Sequence, residues 1–361
     1  MRPICFASLL LLFSISAKAQ TPGAGNVARP KLVVGIMIDQ MRWDYLYRFN
    51  DRFTPGGFKR LIGQGFSCES TFIPYTPTYT AVGHTCVYTG SVPAITGIVG
   101  NNWYLRGSKR NMYCTDDSTV VGVGTTSSAG KMSPKNLWTS TITDELRLAT
   151  NFRSKTIGIA LKDRGAILPA GHAANAAYWF DNATGGWITS SYYMKDLPEW
   201  VKNFNNRKLA DQYMANDWNT LFPIESYRQS TSDVKPYEGK LLGGDNSFPH
   251  ETSKVTNNKY EAFRTTPGGN SITFDMAKAA IDNEKMGQGT STDFLAVSFS
   301  STDYIGHTFG PNSIEIEDCY LRYDKELAAF LTYLDQKIGK GQYLLFLTAD
   351  HAPLEWRYDL N

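Results

Sequence analysis

Four stretches of the chain are apolar almost without a break: 31–39 (KLVVGIMID), 155–161 (KTIGIAL), 293–299 (DFLAVSF) and 342–348 (QYLLFLT). Runs of this length without polar alternation predict strands buried on both faces, as in a parallel sheet. Residues 318–338 read as a long helix. Residues 271–286 read as another, with Ile272, Met276, Ala280 and Ile281 as its apolar positions. Strands alternating with helices predict an α/β domain with a mostly parallel sheet. From about Thr184 to Pro267 the pattern loses its period and the composition turns to Asn, Gly, Tyr and Trp. This stretch is expected to be an inserted cap on the α/β core and not a second domain.

The N-terminus has a different pattern. Arg2, the apolar run 9–13 and Ala17-Lys18-Ala19 fit a secretory signal peptide over residues 1–19, cut before Gln20. No stretch reaches the roughly 20 apolar residues that a membrane-spanning helix needs. The expected mature protein, residues 20–361, is exported and soluble, periplasmic or secreted, with no membrane anchor.

Composition adds limits. With 361 residues, 42% hydrophobic and 19% charged, the chain is globular in type. A net charge of +2 and scattered basic residues give no basis for nucleic acid as a partner. Cys68, Cys86, Cys114 and Cys319 remain after the signal segment, none in a C-x-x-C arrangement. They are expected to form structural bridges or to stay as buried thiols, and no thiolate metal site is predicted.

The chemistry gathers where the strands end. In open parallel sheets, ligands bind beyond the carboxyl ends of the strands. The first run ends at Asp39, the second leads into Lys162-Asp163-Arg164, the third into Ser300-Ser-Thr-Asp303 with His307 beyond, and the fourth into Asp350-His351. Each alone reads equally as a solvated loop or a helix cap. Together they offer oxygen and nitrogen ligands suited to Zn²⁺, enough for a two-metal hydrolase. Upstream, YTPTYTAVGHTCVYTG (75–90) places Thr80 at the start of a predicted helix over 81–88. There, backbone N–H groups and the helix dipole favour an oxyanion. A threonine hydroxyl becomes a nucleophile only if a base or metal takes its proton; otherwise Thr80 is a plain N-cap.

These residues together resemble the alkaline phosphatase superfamily, and within it the phosphate-irrepressible bacterial alkaline phosphatases of the PafA type. The motifs are TPTYTAVGH around Thr80, GIVGNNWY around Asn101, KDRGA from Lys162 and STDYIGH from Ser301, and the resemblance runs from Lys31 to His351. It implies a three-layer α/β/α sandwich and zinc-dependent hydrolysis of small-molecule phosphate monoesters by a monomer. It also implies Thr80 as nucleophile, passing through a phosphothreonine. One zinc would be held by Asp39, Thr80, Asp350 and His351. The second would take Asp303, His307 and a further histidine. Asn101, Lys162 and Arg164 would bind the phosphoryl oxygens. His84, His172 and His250 are not expected to supply the further ligand: His84 reads as structural, His172 as a packing residue, and His250 falls in the cap. With only ten residues after His351, the chain is expected to be C-terminally incomplete. Its alternatives are a phosphodiesterase of the same superfamily or a non-catalytic binder of zinc and phosphate.

Overall fold

A computed structural model describes residues 29–241 and 244–353. The expected signal peptide and the segment after Pro353 lie outside the described residues. Among the described residues there are nine strands: β1 (Leu32–Ile38), β2 (Asn102–Leu105), β3 (Arg110–Tyr113), β4 (Gly122–Val123), β5 (Thr156–Ala160), β6 (Ala176–Asp181), β7 (Gly186–Ser190), β8 (Asp293–Phe299) and β9 (Tyr343–Thr348). Seven of them form one sheet in the order β4-β7-β6-β5-β8-β1-β9. β5, β6, β8, β1 and β9 run parallel; β7 is antiparallel to β6, and β4 is antiparallel to β7. All four predicted strands are present, and they lie side by side in the order β5-β8-β1-β9.

Residues alternate between two packed faces. Leu32, Val34, Ile36 and Ile38 of β1 join the main core, with Phe274 of one helix and Leu327 of another. Met37 turns the other way, onto Tyr88, Phe294 and Ala296. Helices therefore cover both faces, giving the expected sandwich. Those that matter below are α1 (Thr80–Thr89), α2 (Asp163–Ala170), α3 (Lys259–Arg264), α4 (Gly268–Asn283), α5 (Ser301–Phe309) and α6 (Ile314–Leu334).

The helix expected from Asp318 begins four residues earlier, because the Ser313 side chain accepts from Ile316 N and caps it. Its buried carboxylates then tie down distant loops. Asp318 accepts from Trp218 Nε1 (2.8 Å), Leu221 N (2.6 Å) and Arg322 Nε (2.6 Å). Asp324 accepts from Thr54 N (2.6 Å) and Phe58 N (2.7 Å).

The expected cap boundary needs correction at its start. Residues 186–190 belong to the central sheet as β7, with Trp187 and Ile188 fully buried, so the segment outside the sheet begins at Ser191. Beyond that point the chain forms short helices (Glu199–Asn206, Leu209–Met214, α3) that sink Val201, Phe204 and Phe263 into the main core. Three of the four cysteines take the second of their two expected states, buried thiols, and Cys68 takes neither. Cys68, Cys86, Cys114 and Cys319 are all free thiols, and only Cys68 is exposed.

One buried acid in this segment makes stability pH-dependent. Glu238 is 8% exposed, and burial together with the charge of Glu315 pushes its pKa up to about 8. Its folded pKa is raised, so the folded state holds a proton that the unfolded state releases above about 4.3. Stability therefore falls as pH rises from that value through about 8. Glu238→Gln, which cannot ionise, is expected to flatten this decline and to unfold several degrees higher than the parent at pH 9. Thermal unfolding at pH 5 and pH 9 measures it; parallel profiles for the two proteins would refute it.

Candidate active site

The register of the sheet assembles the site. Ile38 is level with Phe299, and Ala160 with Ser298, so the segments after β1, β5 and β8 emerge side by side. Asp39 follows β1 directly; its N–H donates to Phe299 O (3.1 Å) and its carbonyl accepts from Thr302 Oγ1 (2.6 Å). Its side chain is fully buried. Lys162 caps the start of α2 with its side chain 2% exposed, and Asp303 lies in the first turn of α5.

Lys162 Nζ is the centre of charge. It lies 2.6 Å from Asp39 Oδ2, 2.5 Å from Asp303 Oδ2 and 3.3 Å from Thr80 Oγ1. Burial opposes its charged form, but the two carboxylates outweigh burial and raise its pKa above the ordinary lysine value, so it stays an ammonium. Asp303 is held below the usual carboxylate range: burial and Asp39 oppose this, while Lys162 and His307 achieve it.

Thr80 is the first residue of α1, after an extended Tyr79 that supplies no side-chain cap. Asn101, just before β2, fills that role from a distance, its Oδ1 accepting from Ala81 N at 3.0 Å. One turn into α1, His84 Nδ1 lies 2.9 Å from Thr80 O and 3.0 Å from Asp350 Oδ2, while Nε2 lies 2.7 Å from Ser298 Oγ. Nδ1 faces two acceptors and so carries the proton; Nε2 is then free to accept from the serine hydroxyl. A side chain at Gly83 could not fit, since its Cβ would meet Asp350 Cβ at 2.5 Å. That close approach lets α1 and the loop after β9 share the site.

Asp350 accepts from Gln40 N (3.1 Å) and His351 N (2.9 Å) through Oδ1. Burial would raise its pKa, but His84, His351 and Lys162 bring it down to about 2. His351 Nε2 lies 3.3 Å from Asp39 Oδ1 and 3.7 Å from Asp303 Oδ1. Burial opposes its charged form, yet Asp39 and Asp350 push its pKa up to about 9.

Asp39, Asp303 and His351 offer ligand atoms all within 4.8 Å of one another. Asp39 Oδ1 and Asp303 Oδ1 are buried oxygens approached only by histidine nitrogens among the described residues, His351 Nε2 at 3.3 Å and His307 Nε2 at 3.1 Å. Two carboxylate oxygens and an imidazole nitrogen, short of donors and already gripping an ammonium, fit a divalent cation. This triad draws members from both ligand sets that the sequence implied. His307, expected to be the partner of Asp303, is 3.1 Å from its Oδ1 but has a largely exposed side chain. His172 and His250 are engaged elsewhere, with Leu137 O and Glu315 respectively.

Arg164 donates from Nη1 to Tyr113 OH (2.9 Å), and Tyr113 OH donates to Asp163 Oδ1 (2.8 Å). With Lys162, Tyr304 and Arg264 they line a cavity of about 300 Å³. Tyr113 and Arg264 were not anticipated. Tyr304 stood inside the STDYIGH motif without being singled out.

The chain is 59% identical over 354 residues to alkaline phosphatase PhoV of Synechococcus elongatus, covering 96% of this chain and 64% of that protein. It is 60% identical over 331 residues to a Myroides odoratus protein named a calcium-transporting ATPase, covering 91% of this chain and 60% of that one. To alkaline phosphatase PafA of Elizabethkingia meningoseptica it is 53% identical, covering 95% and 64%. The crystal structure of PafA superposes with a TM-score of 0.88 over 90% of this chain and 63% of that one. The chain thus spans somewhat less than two thirds of the length of these relatives. The family model for type I phosphodiesterase / nucleotide pyrophosphatase matches residues 33–353, and the chain belongs to that family, within the alkaline phosphatase superfamily.

Proposed function

We propose that the chain hydrolyses phosphate monoesters with zinc, through a phosphothreonine on Thr80. The observation that carries this is the Thr80 hydroxyl at the first turn of α1, 3.3 Å from the Lys162 ammonium and beside the Asp39–Asp303–His351 cluster. Asp39, Thr80, Asp350 and His351 would hold one ion, and Asp303 and His307 would contribute to a second. Zinc bound there would supply Lewis acidity, lowering the pKa of a hydroxyl or water and offsetting charge on the departing oxygen.

The chain's own groups do the rest. Thr80 Oγ forms a bond to phosphorus as the ester P–O bond breaks and the alcohol leaves. Water then attacks the same phosphorus, the Thr80 O–P bond breaks, and inorganic phosphate departs. Lys162 keeps its proton, so it serves as a charge for the phosphoryl oxygens and not as the base for Thr80. The Arg164 guanidinium adds charged hydrogen bonds. Asn101 has committed its Oδ1 to Ala81 N, which leaves its amide N–H₂ as a donor. So cationic a cavity suits a monoester dianion better than a diester monoanion. Export by way of residues 1–19 belongs to the same reading.

The test is phosphate release from an aryl phosphate monoester at mildly alkaline pH, beside the matching diester. Turnover that is lost on chelation, regained with zinc and faster for the monoester is the expected result. A folded, zinc-supplied chain without turnover would leave only a binder of zinc and phosphate.

His84 gives a second prediction. Second-shell partners of metal ligands typically alter metal affinity by about 10–100-fold. His84→Asn is therefore expected to weaken zinc binding by about that factor, read by competition with a chelating dye. Unchanged affinity would reduce His84 to a core residue.

A further inference from the structure

The cavity beside Thr80 holds one more cation than a single phosphoryl group calls for. Arg264 ends α3 and lines the cavity together with residues at the carboxyl ends of β5 and β6. Its Nη1 donates to Tyr304 OH at 2.8 Å, and its guanidinium carbon lies 4.6 Å from the centre of that ring. Lys162 Nζ lies 5.0 Å from the same ring centre. Tyr304, the neighbour of Asp303, thus links Arg264 to the phosphoryl-binding lysine.

Among the described residues the guanidiniums of Arg164 and Arg264 have no carboxylate partner within ion-pair distance, and each keeps a buried Nε with no acceptor. The carboxylates on the cavity wall are engaged by their own surroundings. Asp163 accepts from Tyr113 and Thr115; Asp181 accepts from Ala183 N and Thr184 Oγ1. Half-buried guanidinium groups that line a cavity without a carboxylate partner suit a ligand rich in anionic oxygens. The cavity, about 300 Å³, also exceeds one phosphoryl group, which takes roughly the room of two or three waters, on the order of 60–90 Å³.

We propose that Arg264, braced by Tyr304, forms a second anion subsite that favours phosphate esters bearing a second phosphate group. The inference rests on the phosphatase reading for its first subsite, Lys162 and Arg164.

The experiment compares propyl phosphate with propane-1,3-diol bisphosphate, per phosphate group, on the zinc-supplied full chain. Arg264→Met keeps the bulk and removes the charge. It is expected to lower kcat/KM for the bisphosphate about ten- to a hundredfold more than for propyl phosphate. Arg264→Lys should recover part of the difference. Both substrates meet the same protein, so loss of folded material cancels in the ratio. An equal loss on both substrates, or none on either, overturns the subsite. If the parent turns over neither substrate, the phosphatase reading fails separately, and calorimetry with methylenediphosphonate against methylphosphonate still decides. A preference for the diphosphonate that Arg264→Met abolishes supports the subsite; no preference refutes it.

Discussion

Thr80→Ala is expected to abolish turnover of an aryl phosphate, lowering kcat/KM by about 10,000-fold or more, as removal of a covalent nucleophile does elsewhere. The geometry makes the experiment clean. Thr80 is 3% exposed, and among the described residues its hydroxyl is hydrogen-bonded to the Lys162 ammonium at 3.3 Å. The cap on α1 comes from Asn101, not from Thr80, so the helix keeps its start in the variant. Loss of one methyl and one hydroxyl at a helix N-terminus should cost no more than about 1–2 kcal/mol of stability. Turnover and thermal unfolding therefore separate. A folded Thr80→Ala protein that retained a tenth of parent activity would rule out the phosphothreonine, leaving direct attack by water as the chemistry. Thr80→Ser, which keeps a hydroxyl at the same atom, should retain most of the rate.

Much of this site was legible because its parts stand at one kind of place. β1, β5, β8 and β9 are nearly unbroken apolar runs, and each delivers its charged residues within four positions of the last apolar one. The period of a buried strand and the end of that strand are both visible in one dimension. Which end lies beside which is not visible. Adjacency follows from the strand order β5-β8-β1-β9, and nothing in the runs themselves encodes it.

The failures have physical causes as well. β6 and β7 form a hairpin whose turn, residues 182–185, is closed by Gly185 N donating to Asp181 O and by the left-handed φ of Gly185, +70°. Its Asn and Gly are turn residues, yet they made the whole stretch resemble a cap. Arg264 reaches the cavity because its neighbour Phe263 packs against Phe180 of β6, a tertiary effect without local signature. His84 was visible as the residue one turn after Thr80, but its contact with Asp350 depends on Gly83 letting two segments approach.

Lys162→Met should behave oppositely with and without metal. In metal-free protein the ammonium is the cation between Asp39 and Asp303, at 2.6 and 2.5 Å and almost wholly buried. Removing one partner of a buried ion pair costs about 3–5 kcal/mol, because the remaining charges stay behind without compensation. In chelator the variant should therefore unfold roughly 5–15 °C below the parent at neutral pH. The gap should narrow in acid, where one of the two aspartates can take up a proton. Added zinc meets the same oxygens without an ammonium to displace, and a ligand that binds only the folded state stabilises it. The variant should thus gain more from zinc than the parent does and bind it more tightly, while turnover falls about 100- to 1,000-fold for want of a charge on the phosphoryl oxygens. Unfolding curves in chelator and in zinc, for both proteins, measure every part of this. A variant as stable as the parent in chelator would show that the two carboxylates do not depend on Lys162. A variant that zinc fails to rescue would show that the cluster does not hold the metal.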